Sequence, residues 1–346
     1  MKVCVTDGRG VVEVAERPAP RSSGDIVKVK LVFAPMCTEF KDVRSGRPSE
    51  ALGHEASGTV EALGSSTRFH IGDRVVVMPG NACGACDLCA SGEHIYCPHQ
   101  RDVLAETGST CGTATYAQFI IRPEQLLLPV PDDISLRHAS LACCALGPSF
   151  NALRRMRTPA GETLVVNGCG PVGLGAIVNA VAVGIRVIAI EPHPYRAELA
   201  LRLGASASVD PHSTDPVAQV RRLTNDGGVA CAIETSGRQE AIDGLMSMLQ
   251  PLGRMTTLAW DVPIRLPPLV ARGAEVHGCW HWNHERDAPA MWDIVRRSAR
   301  ALDAMVTHVF DLDDVAEAIA LQGSSNCGKV LLRPHGSESP KDLREP

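Results

Sequence analysis

Aromatic side chains make up only 4% of this 346-residue chain, and no stretch approaches the roughly 18 uninterrupted apolar residues of a membrane-spanning helix. The second shortage excludes a helical membrane protein. The first makes any gathering of rings informative, and three of the four tryptophans, Trp280, Trp282 and Trp292, stand close together. The opening MKVCVTDGRGVVEV has no basic segment leading into an apolar one, as a secretory leader would. Acidic and basic residues are interspersed, the net charge is −5, and there is no basic stripe of the kind that tracks a nucleic-acid backbone. Internal repeats and low-complexity tracts are lacking too. These absences lead to the expectation of a cytoplasmic protein whose partners are neither nucleic acid nor membrane. In a reducing compartment, clustered cysteines favour metal over disulfides.

What is present fits a well-cored chain of about two domains, with 45% hydrophobic residues and 31 glycines. The first 145 residues read as short strands broken by glycine and proline (IVKVKLVFA, ASGTVEALG, DRVVVMPG, YAQFIIRP), which predicts a β-rich domain. From 161 the texture changes. ETLVVN, RVIAI, ACAIET and RMTTLAW are short apolar strands, separated by helical stretches such as 173–183 and 196–203. Alternation at this spacing predicts a parallel sheet with helices on both faces. Near 283 a helix begins, followed by a strand at THVFDL, a helix at DDVAEAIALQ and a closing strand at GKVLLRP. The polar residues 335–346 are expected to fray.

Four of the thirteen cysteines, Cys83, Cys86, Cys89 and Cys97, lie in CGACDLCASGEHIYC with the spacing C-x2-C-x2-C-x7-C. Zinc prefers four soft ligands in a tetrahedron, and cysteines on a turning loop supply them. Four thiolates fill the coordination sphere, so such a site stabilises a lobe but cannot readily admit a substrate. A second candidate is dispersed: Cys37, His54 with its neighbour Glu55, and Cys143 or Cys144. An open catalytic zinc site needs three protein ligands and a free position, which one histidine and two cysteines provide. Spacing alone leaves open whether these residues meet, since buried cysteines are more often core filler.

The stretch TLVVNGCGPVGLGAIV places Gly168, Gly170 and Gly173 as G-x-G-x-x-G between a strand and a helix, with Pro171 and Val172 inside the turn. Gly168 permits the tight turn, Gly170 lets a pyrophosphate approach the backbone, and Gly173 lets the helix pack against the strand. The next strand ends at Glu191, 21 residues after Gly170. A carboxylate there accepts hydrogen bonds from an adenosine ribose and repels a 2′-phosphate, which favours NAD over NADP. Arg196 argues the other way, because a nearby arginine can accommodate that phosphate.

These elements occur in one order: GHE at 53–55, GDRVVV at 72–77, the cysteine lobe, the glycine loop, LGA at 203–205 and the closing KVLLRP at 329–334. Over nearly the whole chain this resembles the zinc-dependent medium-chain dehydrogenases, the alcohol and polyol dehydrogenase family. The resemblance implies a two-domain α/β fold. A GroES-like catalytic domain (1–145, with a structural-zinc lobe at 80–100, and again 283–346) is interrupted by a Rossmann domain that binds NAD (146–282). It also implies two zinc ions per chain, a catalytic one on Cys37, His54 and Cys144 (Cys143 being the alternative third ligand) and a structural one on the lobe. Glu55 then matches the acidic residue that either backs the catalytic ion or transiently binds it. The implied reaction moves a hydride between a carbinol carbon and the nicotinamide, with zinc supplying Lewis acidity to the substrate oxygen. A homodimer or homotetramer is the implied assembly.

Two positions bear on the substrate. Family members often carry Ser or Thr two residues after the first zinc cysteine, starting a proton relay, where this chain has Glu39. That carboxylate is expected to accept the substrate proton or to bind a hydroxyl or ammonium group, with Thr38 as the alternative relay hydroxyl. On this reading Glu39→Gln cuts turnover while zinc content stays intact. Trp280, His281 and Trp282 resemble the aromatic–basic–aromatic run of sorbitol-type enzymes. With Asn283 they are expected to wall a pocket for a polyol, cyclitol or amino-cyclitol rather than ethanol. The alternatives are an NADPH-dependent carbonyl reductase of the same fold and a non-catalytic protein that binds zinc and nucleotide.

Overall fold

The computed structural model describes residues 1–259 and 262–336. Trp260, at the expected end of the RMTTLAW strand, and residues 337–346 of the polar tail lie outside the described residues. Six strands form an all-parallel sheet in the spatial order Ala207–Val209, Arg186–Ile190, Thr163–Asn167, Val229–Glu234, Leu249–Thr257 and Glu275–Gly278. Numbered along the chain this order is 3-2-1-4-5-6, the doubly wound arrangement whose switch point lies between the strands ending at Asn167 and Glu234. The strands are apolar on both faces because both faces are covered. Leu164 and Val166 enter one hydrophobic cluster while Val165 enters another, and Val187 and Ile188 divide the same way.

A second sheet is built around Ile26–Pro35, whose apolar residues alternate with two lysines. Along one edge it pairs antiparallel with Ala56–Ala62, which leads on to Arg74–Val77 and Leu127–Pro129. On its other edge the first half pairs with Phe119–Pro123 and the last two residues with Lys329–Arg333. Lys329–Arg333 also runs parallel to Val306–Asp311. The end of the chain therefore completes the sheet that the beginning started. The strands expected from the pattern are present, whereas Lys2–Thr6, Val12–Glu16, Leu127–Pro129, Ala207–Val209 and Glu275–Gly278 are additions. They are too short or too polar for their alternation to stand out.

The joint between the two sheets is close backbone contact. Helix Pro171–Ala182 opens with proline at its first position, where a missing N–H costs nothing, and runs into Gly175. A Cβ on Gly175 would lie 1.8 Å from the carbonyl oxygen of Ala145, a backbone atom with no freedom to move aside. Gly175→Ala should therefore cost about 2 kcal/mol of stability, as overpacking of a rigid contact does. Urea unfolding followed by circular dichroism measures it; an unchanged midpoint would mean that the joint is looser than this geometry.

Candidate active site

Both metal clusters anticipated above assemble. In the lobe, the Sγ atoms of Cys83 and Cys89 are 3.9 Å apart, Cys86 and Cys89 3.6 Å, Cys86 and Cys97 3.8 Å, and Cys97 and Cys83 3.6 Å. Disulfides would need about 2.05 Å. A tetrahedron of sulfurs bonded to zinc at about 2.3 Å has edges near 3.8 Å, so the four thiols fit that ion. The lobe's short turns, with Gly84 and Gly92 at positive φ, bend the chain around the centre.

The dispersed cluster also closes up. Ligand atoms of Cys37, His54, Glu55 and Cys144 all lie within 4.8 Å of one another, and Cys37 and Cys144 sulfurs are 3.7 Å apart. Cys144 supplies the thiol here, whereas Cys143 is fully buried and its Sγ lies 3.9 Å from the carbonyl oxygen of His54. Contact with Cys144 holds the Cys37 thiol well below its usual range, against burial and with help from His54 and Lys329. Three soft or borderline donors on one side of a cleft fit a zinc ion with an open position.

Glu39 stands behind this cluster rather than in front of it. It is 2% exposed, its Oε1 lies 2.8 Å from His54 Nδ1, and its Oε2 accepts the Cys37 N–H at 2.8 Å and the Tyr116 hydroxyl at 2.7 Å. Burial would push its pKa up, but His54, Tyr116 and the Cys37 N–H outweigh that and hold it at about 2. Buried against His54, Tyr116 and the Cys37 amide, the carboxylate does not line the cleft; Thr38, which is exposed, lines it instead. A carboxylate on Nδ1 leaves Nε2 of His54 for a metal and fixes the ring's orientation. Glu55 is fully buried against Lys329, Nζ to Oε1 2.5 Å, and neither side chain is exposed. Its Oε2 has no hydrogen-bond partner, an orphaned acceptor that a nearby cation would satisfy. Burial raises the Glu55 pKa to about 7 despite the opposing pull of Lys329.

Two connected spaces meet at this cluster. One, of about 860 Å³, runs over the glycine loop and is lined by Gly168, Gly170, Pro171, Val172, Gly173, Glu191 and Arg196. Gly168 has φ +87°, and a Cβ on Gly173 would lie 1.8 Å from Gly168 O, so both positions require glycine. Gly170 has nothing within 4 Å of where a Cβ would stand, which leaves room for a ligand to approach the backbone. Glu191 is buried, with Oε2 accepting the Cys169 N–H at 2.6 Å and Oε1 the His193 N–H at 2.8 Å. The other space, of about 580 Å³, is lined by Cys37, His54, Cys144, Trp280 and His281 among others.

Residues 23–132 match the family profile described as the alcohol dehydrogenase GroES-like domain, and residues 171–297 that of the zinc-binding dehydrogenases. An alcohol dehydrogenase of Aspergillus sp. (strain MF297-2), notN, is 30% identical over 93% of this chain and 92% of its own. The chain belongs to the zinc-dependent medium-chain dehydrogenases. Sorbitol dehydrogenase of Bacillus subtilis (strain 168) is 26% identical over 97% of this chain and 98% of its own. Among solved structures, alcohol dehydrogenase TADH from Thermus sp. ATN1 superposes with a TM-score of 0.86 at 26% identity, covering 96% of this chain and 99% of that one. This dehydrogenase is thus an oxidoreductase, with the two-domain fold of its family.

In the dehydrogenase's cleft, the expected wall at 280–283 divides. Trp280 and His281 line the space beside the cluster. Burial lowers the His281 pKa to about 3, so its imidazole is neutral, 3.3 Å from Cys143 O. Trp282 does not line the cleft. It is 3% exposed, edge-on to Phe150, and its indole N–H donates to Ala142 O at 2.9 Å. Asn283 is displaced too: its Oδ1 caps helix His284–Arg297, and its Nδ2 donates to Ser91 O and Glu93. In a regular strand Trp280 and Trp282, two residues apart, would face the same side, but the strand ends at Gly278 and the chain bends at His281, so the two indoles part. Tyr116 and Lys329 were not anticipated. A lysine leading the apolar strand KVLLR, where a buried cation demands a partner, was the available signal for Lys329.

Two outcomes follow. Lys329→Met should destabilise the fold by about 3–5 kcal/mol, because it strips a fully buried Glu55 of its counter-ion and hydrogen-bond donor, and adding Glu55→Gln should recover much of that in urea titrations. Equal losses in single and double variants would show that the pair is not coupled. Glu39→Gln should weaken retention of the catalytic metal about 10–100-fold, seen as metal content after dialysis against a chelator. Intact metal with lower turnover would return Glu39 to the relay.

Proposed function

We propose that this chain transfers a hydride between a secondary alcohol, preferably a polyol or cyclitol, and NAD, giving the ketone. The observation that carries this reading is the shared lining of the two spaces. Cys37, Thr38, Lys41, Val172, Thr235 and Ser236 border both, so the glycine loop and the thiol–imidazole cluster open into one cleft. A ring held over Val172 would stand against a substrate held at the cluster. Zinc on Cys37, His54 and Cys144 would supply Lewis acidity to the alcohol oxygen, and nicotinamide would supply the hydride acceptor. The four thiols of the lobe would hold a second zinc.

The chain's own groups do the rest. The amides at the start of helix Pro171–Ala182 face a pyrophosphate. Glu191 keeps lone pairs free to accept from a ribose hydroxyl and places like charge where a 2′-phosphate would sit. Arg196, which would favour NADPH and a carbonyl reductase, donates from Nε to Cys327 O at 3.3 Å. Thr38, exposed at the junction, takes the first place in passing the alcohol proton outward. Trp280 offers an apolar wall and His281 a neutral imidazole for substrate hydroxyls. The reason to include amino-cyclitols was a carboxylate at Glu39, and its inward position withdraws that reason.

Residues 1–145 and 283–346 make up the catalytic domain in this reading, and 146–282 the nucleotide domain. A homodimer or homotetramer in the cytoplasm is the setting. Edge strand Glu275–Gly278 and helix Leu266–Arg272, which buries none of its residues, leave Leu252, Leu266 and Val270 at least 65% exposed, a surface suited to a second subunit. Among the described residues, no helix is long and apolar enough to cross a membrane.

NADH formation should be followed across simple alcohols, linear polyols and cyclitols with NAD and NADP. Turnover of a polyol or cyclitol with NAD is expected, and Glu191→Ala should raise KM for NAD about tenfold, the worth of hydrogen bonds to a charged acceptor. Preference for NADPH in the native enzyme would establish the reductase reading. Turnover of simple alcohols alone would reduce Trp280 to packing.

A further inference from the structure

Asn283, Tyr96 and Gly92 form a contact that the chemistry described so far does not use. The four-cysteine lobe does not merely project from the surface; it grips the segment that walls the substrate side of the cleft. Asn283 Nδ2 donates to Ser91 O at 2.7 Å and to Glu93 Oε1 at 3.2 Å, while its Oδ1 accepts the Arg286 N–H at 3.0 Å. The Trp280 N–H donates to the Tyr96 hydroxyl at 3.2 Å. Glu285 Oε1 lies 3.3 Å from His94 Nε2, and Arg286 reaches Glu93 at 3.6 Å. The approach is close enough to dictate a residue type: a Cβ on Gly92 would lie 2.5 Å from Asn283 Oδ1. Asn283 itself is 2% exposed, whereas Trp280 is 39% exposed and faces the cleft.

We propose that Asn283 and Tyr96 are positioning residues for substrate recognition, clamping the 280–283 turn onto the four-cysteine lobe so that the lobe sets where Trp280 stands in the cleft. This rests on reading the space beside Trp280 as the substrate side. The Trp280 backbone is fixed by Tyr96 on one side of the turn and by Asn283 three residues on. Between them the His281 carbonyl accepts from Asn151 Nδ2 at 2.7 Å, and its ring lies 3.3 Å from Cys143 O. The lobe therefore contributes to specificity, although none of its four thiols faces the cleft.

Asn283→Asp separates the tether from the helix cap. It keeps the oxygen that accepts the Arg286 N–H, removes the donor to Ser91 and Glu93, and puts two carboxylates together. Tyr96→Phe removes a single hydroxyl at a partly exposed site. Each should raise KM for the alcohol about fivefold, as loss of one or two hydrogen bonds allows, while kcat and KM for the nucleotide change less than about twofold. Asn283→Gln restores a donor and should recover part of the effect. Independently of turnover, acrylamide quenching of the Trp280 emission, isolated by difference from matching Trp280→Phe proteins, should rise about twofold in Asn283→Asp. Unchanged quenching would overturn the clamp, even if the alcohol reading holds. Raised quenching in a protein that oxidises none of the alcohols would retain the clamp and sink only that reading. A fall in kcat with a parallel rise in both KM values and a lowered melting temperature would reduce Asn283 to a structural cap.

Discussion

An ammonium group with no exposed surface fixes much of this enzyme's geometry. Lys329 reaches Glu55 across 274 residues of sequence, and neither group can afford the interior alone. For the pair to form, the closing strand must lie in register beside Ile26–Pro35, which also carries Cys37 at its end. The same requirement seats the GHE segment, so His54 turns its Nδ1 to Glu39 and the opposite edge of its ring to the cleft. One ion pair thus couples the last strand, the first zinc cysteine and the ligand histidine. The second buried carboxylate, Glu39, is held instead by donors, the Tyr116 hydroxyl and the Cys37 amide.

Much of this was legible in the residues. The glycine loop, both thiol clusters and the alternation that gives the parallel sheet rest on local spacing, and local spacing is what a sequence displays. Glu39 shows where that stops. Its place two residues after Cys37 suggested a proton acceptor at the cleft, but a short turn at Glu39–Asp42 swings the carboxylate inward and leaves Thr38 outside. Trp282 and Asn283 fail similarly, because a run of adjacent residues does not reveal which side each one takes. Tyr116 and Lys329 act through contacts across more than seventy residues, which no motif announces. The short edge strands were missed because three or four residues cannot show an alternation.

The two domains divide the labour along the cleft. The parallel sheet contributes backbone amides and an acidic strand end, features that suit a long anionic cofactor. The other sheet contributes soft ligands and a polar wall, features that suit one reacting oxygen. They share Thr38, Lys41, Val172 and Thr235, and the close contact at Gly175 keeps that border in place. The four-cysteine lobe adds a third element, whose four thiols converge on one point.

The position of the closing strand has a consequence for how the chain is made. Residues 163–278 contain a whole sheet, so its strands can pair once that part has left the ribosome. The other sheet cannot. Ile26–Pro35 waits with part of one edge uncovered until residues 306–333 emerge, and Glu55 has no counter-ion until Lys329 arrives. Cys37 is therefore synthesised early and enclosed last, which places the burden of protecting its thiol on the time of synthesis rather than on the finished fold.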